Sequence, residues 1–132
     1  MSKYIEGRQP IVLVIDDNPA IRDMVSWALE LDGYEPAEAA EGAEALAWMD
    51  NAAREGRYPD VILLDLTMPG MDGNTFLGQL RSHRDMAHPF PAIVVITATA
   101  GPDPETLGVE SVIVKPFHVR ELLDIVRDLT VA

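Results

Sequence analysis

The strongest constraint on this chain is the stretch at residues 60–73, DVILLDLTMPGMDG. Residues 61–64 are apolar without a break, and they run straight into Asp65. Pro69, Gly70 and Gly73 then supply a turn. An unbroken apolar run bounded by turn formers reads as a strand buried on both faces. A free carboxylate is costly to bury. Asp65 is therefore expected at the open carboxyl end of its strand, where ligands reach an open α/β sheet.

The remaining segments fit around that strand. Residues 11–15, IVLVI, form a short buried-strand pattern ending in Asp16 and Asp17. Asn18 is placed as an N-cap and Pro19 as a first helical residue. Ile21, Val25, Ala28 and Leu29 recur at helical spacing, and Gly33 closes that helix. Met24, Trp27 and Leu31 would widen its apolar face, with Trp27 in the core. Residues 34–39 form a weak strand; Pro36 cannot donate to a ladder, so this strand belongs at an edge. Residues 41–54 are alanine-rich and helical, with Ala43, Leu46, Ala47 and Trp48 as the packed face. A short helix over 74–81 packs Phe76, Leu77 and Leu80. Residues 92–96, AIVVI, give a further strand ending in Thr97. Pro104 starts and Gly108 stops about one turn of helix. Residues 111–114 form the last strand, ending in Lys115-Pro116, and 119–129 the last helix, with Leu122, Leu123, Val126 and Leu129 inward. Five strands alternating with helices predict a doubly wound, flavodoxin-like parallel sheet of order 2-1-3-4-5, with five helices and a short fourth.

Composition narrows the function classes. The 132 residues, 48% hydrophobic, suit one domain with a full core. No apolar run approaches the roughly 18 residues of a membrane span, and no secretory signal opens the chain. The absence of cysteine removes disulfides, thiolate metal sites and cysteine nucleophiles. These features predict a cytoplasmic protein. With 22 acidic against 10 basic residues and a net charge of -12, direct nucleic-acid binding by this domain is not expected. Residues 1–10 lack periodicity and read as a flexible leader. Within it, Ile5-Glu6-Gly7-Arg8 matches a protease recognition sequence used to remove tags. The domain proper is residues 11–132, and Lys115 is its only lysine.

The predicted topology collects Asp16, Asp17, Asp65, Thr97 and Lys115 on one edge of the sheet. Three adjacent carboxylates repel unless neutralised. Lys115 supplies one charge and a hard divalent cation the rest. Mg²⁺ fits best, because it takes one or two carboxylates, keeps waters and reaches phosphate oxygens; Mn²⁺ can substitute. Cation, hydroxyl and ammonium together meet the equatorial oxygens of a phosphoryl group in transfer. A central carboxylate can then act as nucleophile.

Four pieces in order carry a family likeness: Asp16-Asp17 after an apolar strand, Asp65 in LLDLTMPGMDG, Thr97-Ala98 after IVVI, and Lys115-Pro116-Phe117. Over residues 11–130 the chain resembles the receiver domain of two-component response regulators. The resemblance implies that Asp65 accepts a phosphoryl group from a phosphohistidine on a sensor histidine kinase or a histidine phosphotransfer protein. It implies that Asp17, Asp65 and the backbone carbonyl of Thr67 ligate Mg²⁺, with Asp16 acting chiefly through water. Thr97 and Lys115 would hold the phosphoryl oxygens, and the Lys115-Pro116 bond would be cis. Such a domain catalyses its own phosphorylation and dephosphorylation and has no separate turnover substrate. Thr67 and Thr99 occupy the rate-tuning positions, and neither orients water well, so slow to intermediate dephosphorylation is expected.

Two departures stand out. The switch position three before the lysine is Val112, which has no ring to swing. The segment between Thr97 and Lys115 is short and broken by Pro102 and Pro104. Phosphorylation is therefore expected to act by ordering or moving residues 98–108. A phosphatase working through an aspartyl phosphate would tend to carry a second acid at the place of Thr67. A flavodoxin should have a phosphate loop rich in Ser, Thr and Gly after the first strand, where Asp16-Asp17-Asn18 would repel a phosphate unless a cation intervened. A receiver-like interaction module that works without phosphorylation is the remaining alternative. The output partner, homodimerisation, and the choice between a stand-alone receiver and part of a longer regulator or hybrid kinase stay open.

Overall fold

A computed structural model describes residues 9–66, 73–82, 90–98 and 103–130. Its strands are β1 (Ile11–Ile15), β2 (Glu35–Ala39), β3 (Val61–Asp65), β4 (Ala92–Thr97) and β5 (Ser111–Val114). Between and after them lie α1 (Pro19–Leu31), α2 (Gly42–Arg54), α3 (Gly73–Ser82), α4 (Pro104–Leu107) and α5 (Val119–Thr130). The five strands form one parallel sheet in the order β2-β1-β3-β4-β5. β2 takes the edge, where Pro36 costs no ladder bond on its open side. Among the described residues, no helix is long and apolar enough to cross a membrane.

Strand parity divides the core in two. Val12, Val14, Val61, Leu63, Val94 and Ile96 point to one face, where Val25 and Leu29 of α1 and Leu122 and Val126 of α5 cover them. Leu13, Ile15, Ile62, Leu64, Ile93 and Val95 point to the other, under Ala45 of α2 and Phe76, Leu77 and Leu80 of α3. Helices on both faces explain why the strands are apolar throughout rather than alternating.

Local chemistry sets the helix ends. Asn18 Oδ1 accepts from the Ala20 and Ile21 N–H groups, and Pro19 opens α1. Asp103 caps the single turn of α4, and Gly108 closes it with φ of 71°, in the left-handed region. The expected one-turn fourth helix is thus present.

Two expected faces are corrected. Met24, Trp27 and Leu31 are exposed, at 43%, 68% and 71%. The sheet covers a stripe of α1 centred on Val25 and Leu29, and positions 24, 27 and 31 lie roughly 120–180° round the helix from its centre, with Trp27 on the opposite side. Trp27 is therefore a surface residue, not a core one. In α2, Ala43 and Ala47 face solvent, while Ala45 and Ala52 are buried and Leu46, Trp48 and Met49 pack at the margin. Alanines on every side of this helix leave its apolar pattern without a single direction.

Candidate functional site

The parallel sheet delivers four polar residues to one edge. Asp16 follows β1, Asp65 ends β3, Thr97 ends β4 and Lys115 follows β5. Register links them: Asp65 lies opposite Ile96, and the Lys115 N–H donates to the Thr97 carbonyl at 2.7 Å. Thr97 is buried between the strand ends that carry Asp65 and Lys115. One carboxylate oxygen from each of Asp16, Asp17 and Asp65 lies within 4.8 Å of the other two. Lys115 Nζ stands 3.4 Å from Asp65 Oδ2 and 3.9 Å from Asp16 Oδ2. Asp16 and Asp65 are buried, at 2% and 3% exposure, whereas Asp17 is open to solvent.

Asp16 is held on three sides. Its N–H donates to the Ala39 carbonyl at 3.2 Å. Its Oδ1 accepts from the Asn18 N–H at 2.9 Å. Its carbonyl accepts from Arg22 Nη1 at 2.7 Å. Its Oδ2 is buried and accepts no hydrogen bond. Burial pushes the Asp16 carboxyl above the ordinary carboxylate range; the Asn18 N–H opposes this, the Asp65 charge adds to it, Lys115 opposes it and Asp17 adds a little more.

Three carboxylates against one ammonium leave two negative charges, with one buried oxygen lacking a donor. That donor set suits a divalent cation with oxygen ligands. Beside it, the Asp65 carboxylate stands next to the Lys115 ammonium, an arrangement able to receive an electrophilic phosphorus.

Leu66 is tied both to β4 and to the start of α3. The Leu66 N–H donates to the Ile96 carbonyl at 3.1 Å, and the Gly73 N–H to the Leu66 carbonyl at 3.0 Å. A Cβ on Gly73 would lie 2.7 Å from Leu66 Cα, so only glycine lets α3 start there. The Lys115-Pro116 bond is cis. Val112 is half-buried and packs at the margin of the core under α2 and α3. Thr67 and Thr99 lie outside the described residues.

Arg22 was not among the residues marked out by sequence. Its side chain also places Nε 3.5 Å from Glu38 Oε1 of β2. The available signal was a cation near a helix N-terminus, where the helix dipole disfavours it.

A sequence model of the response regulator receiver domain matches residues 12–127. The DNA-binding response regulator MtrA of Mycolicibacterium smegmatis is 38% identical over 120 residues, 88% of this chain and 48% of that protein. The chain spans about half the length of the curated relatives it matches. Among solved structures, the chemotaxis protein CheY4 of Vibrio cholerae is 34% identical with a TM-score of 0.77, over 92% of this chain and 99% of that one. The response regulator TrrA of Thermotoga maritima, solved in complex with Mg(2+)-BeF, is 31% identical with a TM-score of 0.72, again over 92% and 99%. With its matching sequence, strand order and acidic edge, this chain belongs to the response regulator receiver domain family.

Proposed function

We propose that this domain takes a phosphoryl group onto Asp65 from a phosphohistidine on a sensor histidine kinase or histidine phosphotransfer protein. The observation that carries the reading is the Asp65 carboxylate, buried at a strand end, 3.4 Å from Lys115 Nζ and inside a cluster of three carboxylates. An Asp65 oxygen attacks phosphorus, the P–N bond to the donor imidazole breaks, and the imidazole nitrogen leaves with its electron pair and takes up a proton. The product is an acyl phosphate. Lys115 and the Thr97 hydroxyl hold the phosphoryl oxygens. Water later attacks phosphorus in line, the bond to Asp65 breaks, and carboxylate and inorganic phosphate return.

Asp17, Asp65 and the Thr67 carbonyl would hold Mg²⁺, with Asp16 acting chiefly through water and Mn²⁺ able to substitute. When bound, the ion neutralises charge on the transferring group. Thr67 and Thr99 carry no acidic or amide side chain to aim the hydrolytic water, so dephosphorylation is slow to intermediate. Residues 11–132 form the working domain, residues 1–10 lie outside it, and the setting is cytoplasmic. Signal output proceeds through residues 98–108 rather than through an aromatic at position 112. Unchanged amide exchange in that segment on adding beryllofluoride and Mg²⁺ would refute this route.

Incubation with acetyl phosphate or phosphoramidate and Mg²⁺, followed by intact mass, tests the core reading. The wild type gains one phosphoryl group and Asp65→Asn gains none. A wild type inert to both donors would overturn it.

A further inference from the structure

We infer that Arg22 is a positioning residue of the cation site, acting through the backbone of the Asp16-Asp17 loop. This inference rests on the reading that the acidic cluster binds a divalent cation. Arg22 Nη1 donates to the Asp16 carbonyl at 2.7 Å. That carbonyl belongs to the peptide joining Asp16 to Asp17. Fixing its plane fixes the direction in which the next residue leaves, and hence the direction of the Asp17 side chain. Asp17 needs such a hold, because it is exposed, whereas Asp16 is buried and tied by the Ala39 carbonyl and the Asn18 N–H as well.

The guanidinium is itself anchored. Its side chain is 19% exposed, and Nε lies 3.5 Å from Glu38 Oε1 on β2. One planar group thus bridges the Asp16 carbonyl and a neighbouring strand, which suits the rigid fork of arginine. Arg22 is the fourth residue of α1, where the helix dipole opposes a cation. The two contacts offset that cost.

Positioning and bulk electrostatics give opposite signs, which makes the inference testable. Arg22 is a positive charge next to a cation site. If it acted by charge alone, its removal would tighten cation binding. If it positions the loop, its removal loosens binding, by about tenfold for a residue that orients a ligand from behind. The probe is Mg²⁺ alone, titrated calorimetrically into the EDTA-treated full chain. Arg22→Ala is expected to raise the Mg²⁺ Kd about tenfold. Arg22→Lys, which keeps a donor for the carbonyl, is expected to recover most of the affinity. At saturating Mg²⁺, acetyl phosphate should phosphorylate Arg22→Ala at close to the wild-type rate. If Arg22→Ala does not fold, Arg22→Met, which keeps the aliphatic stem but has neither the charge nor a donor for the carbonyl, is read in the same titration, with an expected rise in Kd of about tenfold. An unchanged or lower Kd in a folded Arg22→Ala, or in Arg22→Met read in its place, overturns the inference. A wild type that binds no Mg²⁺ overturns the cation reading, and this inference with it.

Discussion

Replacing Asp16 by asparagine should stabilise this domain when divalent cations are absent. The competing pair energies nearly cancel. Asp16 and Asp65 have carboxylate oxygens within 4.8 Å, a repulsion of at least about 3.5 kcal/mol at an effective dielectric constant of roughly 20. Lys115 Nζ, 3.9 Å from Asp16 Oδ2, returns about 4.3 kcal/mol of attraction on the same scale. Desolvation of a carboxylate that is 2% exposed then decides the sign, together with repulsion from Asp17. Asparagine keeps an oxygen for the Asn18 N–H and removes the charge. The expected gain is about 1 kcal/mol, or roughly 3–5 °C in Tm for a domain of this size.

The pH dependence has a definite sign. The folded-state pKa of Asp16 lies above the ordinary value of 3.8, so the folded state holds this proton more tightly than the unfolded chain. Stability from this group is full below the ordinary value and is lost as pH rises through the folded-state value. Thermal melts in EDTA across pH should therefore show the variant's advantage growing over that window and then levelling. Adding Mg²⁺ at ten times its Kd stabilises the wild type by about 1.4 kcal/mol and erases the ranking, because the variant has lost one of the three carboxylates. An Asp16→Asn that melts below the wild type in EDTA would refute this reasoning. It would mean that the Lys115 pair outweighs the cost of burial.

The other expected outcomes concern the surroundings of the site. Gly73→Ala forces its new Cβ against Leu66 Cα, a backbone obstacle 2.7 Å away, and should cost about 1–3 kcal/mol in denaturant melts while slowing phosphorylation of the adjacent Asp65. Arg81→Ala removes donors to the Leu107 and Gly108 carbonyls, at 2.7 and 3.1 Å, and should cost about 1 kcal/mol with faster amide exchange around α4. Trp27→Ala should change stability by no more than about 0.5 kcal/mol, because the indole is 68% exposed. The isolated phosphoprotein, followed by loss of the added mass, should persist well beyond seconds; a lifetime of seconds would contradict the assignment of Thr67 and Thr99 as poor water-orienting residues.

The sequence by itself determined the sheet and the chemistry at its edge. Unbroken apolar runs can be satisfied only by strands covered on both faces, and each run ended at or just before a polar residue. Parallel winding then had to bring Asp16, Asp65, Thr97 and Lys115 to the same edge. Pro36 assigned the edge strand and Pro104 with Gly108 the one-turn helix, because backbone chemistry acts locally. Tertiary structure alone decided which residues face which layer. A strand apolar at every position carries no mark of its two faces, so the split between Val12 and Leu13 waited on the helices. For the same reason Trp27 looked like core: its distance round the helix from Val25 matters only once the sheet is in place. The grip of Arg22 on the Asp16 carbonyl and of Arg81 on the end of α4 was likewise hidden. A side chain bound to a backbone carbonyl leaves no residue pair to read, since every position in the chain offers the same acceptor.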